Sequence, residues 1–137
     1  MRLYITSSFG DSEEEIEKLC SIVNSAGFEE FSFIRDVESF QKVFHNPKDL
    51  MQKAKEEIEK SDVLLIDMTN KPTGRAIEAG MAYSLGKKII AIMKRGTEIK
   101  DTTKGIADRI IMYDVIDDIS VGLKDALRGL KSVKKVP

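Results

Sequence analysis

The chain of 137 residues has no tryptophan, one cysteine and one histidine. A single cysteine cannot close an internal disulfide or build a cysteine-rich zinc site. A single histidine, His45, leaves no imidazole cluster for a metal, and any Ser-His triad would have to use it. No apolar run approaches the ~20 residues of a membrane-spanning helix. An excess of charge is also missing, since 22 Lys and Arg face 23 Asp and Glu for a formal net charge of −1. Without a basic field the chain is not suited to coating nucleic acid. The stretch from Met1 to Phe9 is short and broken early by Ser and Gly, so it reads as a strand and not as a signal peptide. A cytoplasmic protein is expected, with no metal, no cofactor, no nucleic-acid partner and no membrane partner.

Hydrophobic residues make up 42% of the chain, enough for one core and one domain over 1–137. Leu3 to Thr6 form a β-type run. Ser12-x-x-Glu15 is a capping box before Ile16, Leu19, Cys20 and Val23 at helical spacing, and Gly27 is a natural stop. Phe31 to Ile34 reads as a second strand, and Asn46-Pro47 as the cap and first position of a helix toward Lys60. Val63 to Ile66 and Ile89 to Met93 are apolar on both faces, as strands at the centre of a parallel sheet are. A helix from about Arg75 to Leu85 lies between them, its many small and apolar residues suggesting burial on most sides. Ile110 to Met112 is a fifth strand, and Ile119, Leu123, Leu127 and Leu130 share one face of a last helix. From about Lys131 the basic tail is expected to fray.

Alternating strands and helices imply βαβ units and an α/β fold, a flavodoxin-like or Rossmann-like three-layer sandwich on about five parallel strands. Such sheets bind ligands beyond the carboxyl ends of their strands. Three loops lie there: Thr6 to Gly10, Asp67 to Glu78, and Lys94 to Thr103. In the first, Ser7, Ser8, Phe9 and Gly10 precede a helix N-terminus, which suits a phosphate or is simply a polar capping turn. In the second, Asp67 ends a strand, Gly74 lets a ligand approach the backbone, and Glu78 lies one turn into an otherwise small and apolar helix. A lone carboxylate in such a helix is costly unless it has a partner or a task.

The run Ser61 to Met68, then Gly74, then Glu78-Ala79-Gly80-Met81-Ala82, then Gly86-Lys87-Lys88-Ile89-Ile90-Ala91 resembles the nucleoside 2-deoxyribosyltransferase family, as does the opening Tyr4 to Phe9. The resemblance runs from Leu3 to about Thr103. It implies a flavodoxin-like fold and cleavage of an N-glycosidic bond, with Glu78 attacking the anomeric carbon of a 2-deoxyribose. Water or a second base then resolves the glycosyl-enzyme. The pieces match best the branch that hydrolyses deoxynucleoside 5′-monophosphates. That branch implies that Tyr4 frames the site, Ser8 holds the phosphate, and Thr102 or Thr103 comes from the neighbouring subunit. The implied partners are a small nucleoside or nucleotide and a second copy of the chain, in a homodimer or higher homo-oligomer with a shared active site.

The sequence departs from that pattern at three places. Pro72 stands where the family has an acidic residue or a Ser. Arg75 replaces a small residue, and either binds a phosphate or pairs with Glu78. Around Lys53-Ala54, where the family has an Asp, the nearest carboxylates are Asp49 and Glu57, one turn away on either side. Asp67 is then the nearest candidate for the acid that protonates the departing base. The alternative is a nucleotide-binding module that keeps the pocket without turnover. Cys20 reads as core and His45 as exposed loop.

Overall fold

A computed structural model describes residues 1–6 and 11–135, with side chains to residue 131. Five strands, β1 (Arg2–Thr6), β2 (Glu29–Ser32), β3 (Val63–Asp67), β4 (Lys88–Lys94) and β5 (Arg109–Tyr113), form one sheet. They lie in the order β2-β1-β3-β4-β5, and every neighbouring pair is parallel. This is the flavodoxin-like order, whose switch point lies at β1 and β3. The helices are α1 (Glu13–Ser25), the short α2 (Phe33–Asp36), α3 (Pro47–Glu59), α4 (Gly74–Ser84), α5 (Asp101–Ile106) and α6 (Ile119–Lys135).

Two apolar cores, one on each face of the sheet, follow from the alternation of strand side chains. Leu3, Ile5, Val63 and Leu65 pack against α1 and α6, through Ile16, Cys20, Val23, Ile119 and Leu123. Tyr4, Leu64, Ile66 and Ala91 pack on the opposite face, through Ala54, Ile58, Ala79 and Ala82 of α3 and α4. Each fully buried Leu or Ile stabilises by ~1.5–3 kcal/mol. Right-handed crossovers explain the division. The chain moves one way along the sheet through α1 and the other way through α3, α4 and α5.

The local signals act as expected at both capped helices. Ser12 Oγ accepts from Glu15 N at 3.1 Å, and Asn46 Oδ1 accepts from Lys48 N at 2.8 Å with Pro47 in the first turn. Gly27 adopts φ +108°, a conformation that glycine reaches without strain. One expectation is corrected. β2 ends at Ser32, because the Ser32 hydroxyl accepts from Arg35 N and starts α2, so Phe33 and Ile34 are helical. Helix α6 extends to Lys135, into the basic tail. Among the described residues, no helix is long and apolar enough to cross a membrane.

Candidate functional site

A cavity of about 470 Å³ opens at the carboxyl end of the sheet on the face of α3 and α4. Thr6 at the tip of β1 forms part of its wall, with Phe33 and Ile34 of α2, Leu50 and Met51 of α3, and Pro72, Gly74, Arg75 and Glu78 around the start of α4. Tyr4 and Thr6 are two residues apart on one strand, so both side chains face α4. Glu78 descends from α4 toward them, on the side of the helix that buries Ala79 and Ala82. The rest of α4 is open, with Ile77 58% and Tyr83 56% exposed, so the expected burial on most sides is not found in this chain.

Burial lifts the Glu78 carboxyl to about 7. The Tyr4 and Thr6 hydroxyls and the Arg75 charge pull it down, while the charge of Glu38 pushes it up. Tyr4 is held protonated far above its ordinary range, chiefly by burial and then by the Glu78 charge. Tyr4 is fully buried and Thr6 3% exposed, yet neither hydroxyl completes a hydrogen bond of normal geometry within the protein. Both lie near enough to Glu78 to favour its charged form. Two buried hydroxyls directed at one carboxylate form a polar floor under an apolar cleft, which is how small-molecule sites are usually built.

The residues expected from sequence are only partly brought together. Glu78, Gly74 and Arg75 line this cavity. Tyr4 lies beneath it, against Phe31 and Phe33 at ring distances of 5.5 and 6.5 Å. Ser7, Ser8, Phe9 and Gly10 lie outside the described residues. Arg75 does not form an ion pair with Glu78; its Nη1 donates to the Asp67 carbonyl at 2.9 Å. Asp67 is not in this site. Its carboxylate follows the parity of Val63 and Leu65 onto the α1 and α6 face, where it lines a separate cavity with Tyr113 and Lys94. Thr102 and Thr103 line a third, largely apolar recess between α4 and α5. Glu57 is occupied near the other end of β1 by Arg2, Lys53 and Lys60, and Asp49 is exposed.

Sequence reasoning missed Glu38. It is 4% exposed and lines the cavity beside Glu78, and burial raises its carboxyl. No periodicity singles it out, because it sits in the irregular segment after α2. The backbone carries a signal that appears only in three dimensions. Ser39 and Phe40, directly after Glu38, adopt φ of 50° and 60°, and Asn70 and Lys71, directly before Pro72, adopt 65° and 49°. Left-handed non-glycine residues cost ~1–3 kcal/mol each and collect at functional sites. Among the described residues, no three His, Cys, Asp or Glu side chains converge as a metal site.

No protein-family model matches the sequence, and no curated protein does. Solved structures do match in fold. A CMP N-glycosidase from Clostridium botulinum superposes with a TM-score of 0.68 at 20% identity, over 92% of this chain and 99% of its own. A 2-deoxyribosyltransferase from Bacillus psychrosaccharolyticus gives 0.70 at 19%, over 90% and 96%. A response-regulator receiver domain from Methylobacillus flagellatus gives 0.60 at 12%, over 94% and 97%. At such identities the likeness is one of fold, and it extends over nearly the whole chain.

Proposed function

We propose that this protein cleaves the N-glycosidic bond of a 2-deoxynucleoside 5′-monophosphate or 2-deoxynucleoside through a glycosyl ester on Glu78. The observation that carries this reading is the Glu78 carboxylate above the buried Tyr4 and Thr6 hydroxyls in the 470 Å³ cavity. In its ionised form the carboxylate attacks the anomeric carbon as the base departs, and water or a second base then takes the sugar. Tyr4 and Thr6 stabilise the ionised form by donating toward it. The apolar walls at Phe33, Ile34, Leu50 and Met51 suit a flat base. Arg75 is free of carboxylate partners among the described residues and suits a 5′-phosphate, which favours the monophosphate and hydrolysis. The fold shared with a CMP N-glycosidase and a 2-deoxyribosyltransferase supports the general reaction kind.

A second copy of the chain fits this reading, since Ile77 and Tyr83 stand exposed on α4 next to the site. Thr102 or Thr103 of one chain would then complete the site of the other. A monomer in sedimentation that stays fully active overturns this shared-site arrangement. The competing reading is a nucleotide-binding module without turnover, favoured by Pro72, which lines the cavity but offers neither acid nor hydroxyl.

The test is release of free base from a panel of deoxynucleosides and their 5′-monophosphates, each with and without a second base. Release by the wild type, with Glu78→Gln at least ~10³-fold slower while still binding substrate, supports the enzyme. Binding without release by the wild type supports the module.

A further inference from the structure

We propose that Glu38 selects the base, its carboxylate accepting from N1–H and N2–H of guanine, so that the preferred ligand is a guanine deoxynucleotide. This rests on the reading of the cavity as a nucleotide site. The anchors of the cavity lie in the order of a nucleotide. Arg75 is tied to the tip of β3 through the Asp67 carbonyl. Glu78 stands over Tyr4 and Thr6 of β1, the next strand. Glu38 follows β2 and α2, on the far side of β1, and its N–H donates to the Phe33 carbonyl at 3.1 Å. With the phosphate at Arg75 and the sugar at Glu78, the base falls between α2 and α3, against Phe33, Leu50 and Met51. Among the described residues, Glu38 is the polar side chain lining that end.

Glu38 is 4% exposed, and among the described residues no group donates a hydrogen bond to its carboxylate. A buried carboxylate is costly until donors reach it, so the donors come with what enters the cavity. Of the two carboxyls there, Glu78 is the one lifted to about 7, by burial first and with the Glu38 charge among the further causes. The first proton of the pair therefore leaves Glu38. Near neutrality Glu38 is an acceptor only, with two oxygens side by side. Its position is set by the turn that follows, where Phe40 N donates to Ile34 O at 2.9 Å and Gln41 N to Glu38 O at 3.1 Å. Phe33, on the wall beside it, stacks on Phe44 at a ring distance of 6.0 Å.

Guanine alone among the common bases presents two adjacent N–H donors on one edge, and they match the two oxygens of a carboxylate. Adenine and cytosine each set an acceptor nitrogen beside the amino group, so a carboxylate gains one hydrogen bond there and meets one lone pair. Thymine has a single N3–H between two carbonyl oxygens. A site with a buried acceptor rejects the ligand that lacks its donor, because the acceptor is then left dry and unpaired.

The experiment measures Kd for dGMP, dIMP, dAMP, dCMP and dTMP in Glu78→Gln, which spares the ligand from turnover, and again with Glu38→Gln added. Base release is followed in the wild type, and melting temperatures check folding. dIMP keeps N1–H and lacks N2–H. The proposal expects dGMP to bind ~10-fold or more tighter than dIMP and ~10²-fold tighter than the other three. It expects Glu38→Gln to bring dGMP and dAMP within ~3-fold of each other, since an amide both donates and accepts. That ratio, taken within one protein, does not move with a general loss of structure. A preference for another base, dIMP binding as tightly as dGMP, or a guanine preference kept in Glu38→Gln overturns the role of Glu38 and leaves Glu78 standing. Guanine-selective binding lost in Glu38→Gln, without base release by the wild type, upholds Glu38 and overturns the glycosidic reading. No binding of any of these nucleotides overturns the nucleotide site and the base selection with it.

Discussion

The Tyr113 hydroxyl donates to Asp67 Oδ2 at 2.5 Å, joining the tips of β5 and β3 on the face away from Glu78. Asp67 Oδ1 accepts from Thr69 N at 2.9 Å as well, and Thr69 Oγ1 accepts from Lys94 N at 3.0 Å. Asp67 is thus a clasp across three strand ends. Burial and this carboxylate raise the Tyr113 phenol to about 12, so it remains a donor through the neutral range. Asp67→Asn and Tyr113→Phe are therefore expected to lose ~1–3 kcal/mol in urea unfolding, with base release changed less than ~5-fold. A catalytic collapse on the scale of Glu78→Gln, with the fold intact, contradicts this assignment.

The raised Glu78 carboxyl makes stability depend on pH. Folded, it keeps its proton up to about 7; unfolded, it returns to 4.5. The folded chain therefore binds more protons in that window, and the contribution of Glu78 to stability falls as pH rises through it. At about 1.4 kcal/mol per pH unit, the decline is ~2–3 kcal/mol. Glu78→Gln lacks this titration. Its stability relative to wild type should rise by that amount between pH 4.5 and 8, measured by denaturant midpoints across the range, and stay level below 4.5.

Tyr4→Phe removes a donor that favours the charged form of Glu78. It also removes a buried hydroxyl that lacks a normal hydrogen bond. The expected result separates stability from activity. The variant melts at the wild-type temperature or above, while the acid limb of kcat/KM moves upward from about 7 and activity at pH 6 falls. An unchanged limb would mean that the Tyr4 hydroxyl does not act on Glu78.

Arg75 lines the cavity with one guanidinium nitrogen used by the Asp67 carbonyl. If its remaining donors receive a phosphate, Arg75→Gln lowers kcat/KM for a deoxynucleoside 5′-monophosphate ~10-fold or more beyond its effect on the same nucleoside. The ratio of the two substrates cancels any change in the Glu78 carboxyl. Equal effects on both would assign Arg75 to the loop and not to the ligand.

Parity explains why some of the site was readable and some was not. The apolar runs at Leu3, Val63 and Ile89 mark buried strands, and Glu78 stands out because a carboxylate is costly among Ala76, Ala79 and Ala82. Asp67 also stood at a strand end, and position alone directed it to the cleft. Its parity with Val63 and Leu65, combined with right-handed crossovers, sends it to the opposite face. Glu38 lacked any such pattern. Its segment is irregular, and its burial depends on a turn that sets it against α4, far away in sequence.

By itself the sequence determined the five strands to within a few residues, the longer helices, the parallel α/β class and the nucleophile candidate. Those depend on local spacing, capping at Ser12 and Asn46, and the cost of an isolated charge in an apolar helix. Only the tertiary structure decided which carboxylates meet. Asp67 went to Tyr113 and Glu38 came to Glu78, because strand order and crossover hand set the faces, and neither is encoded in any window of neighbouring residues.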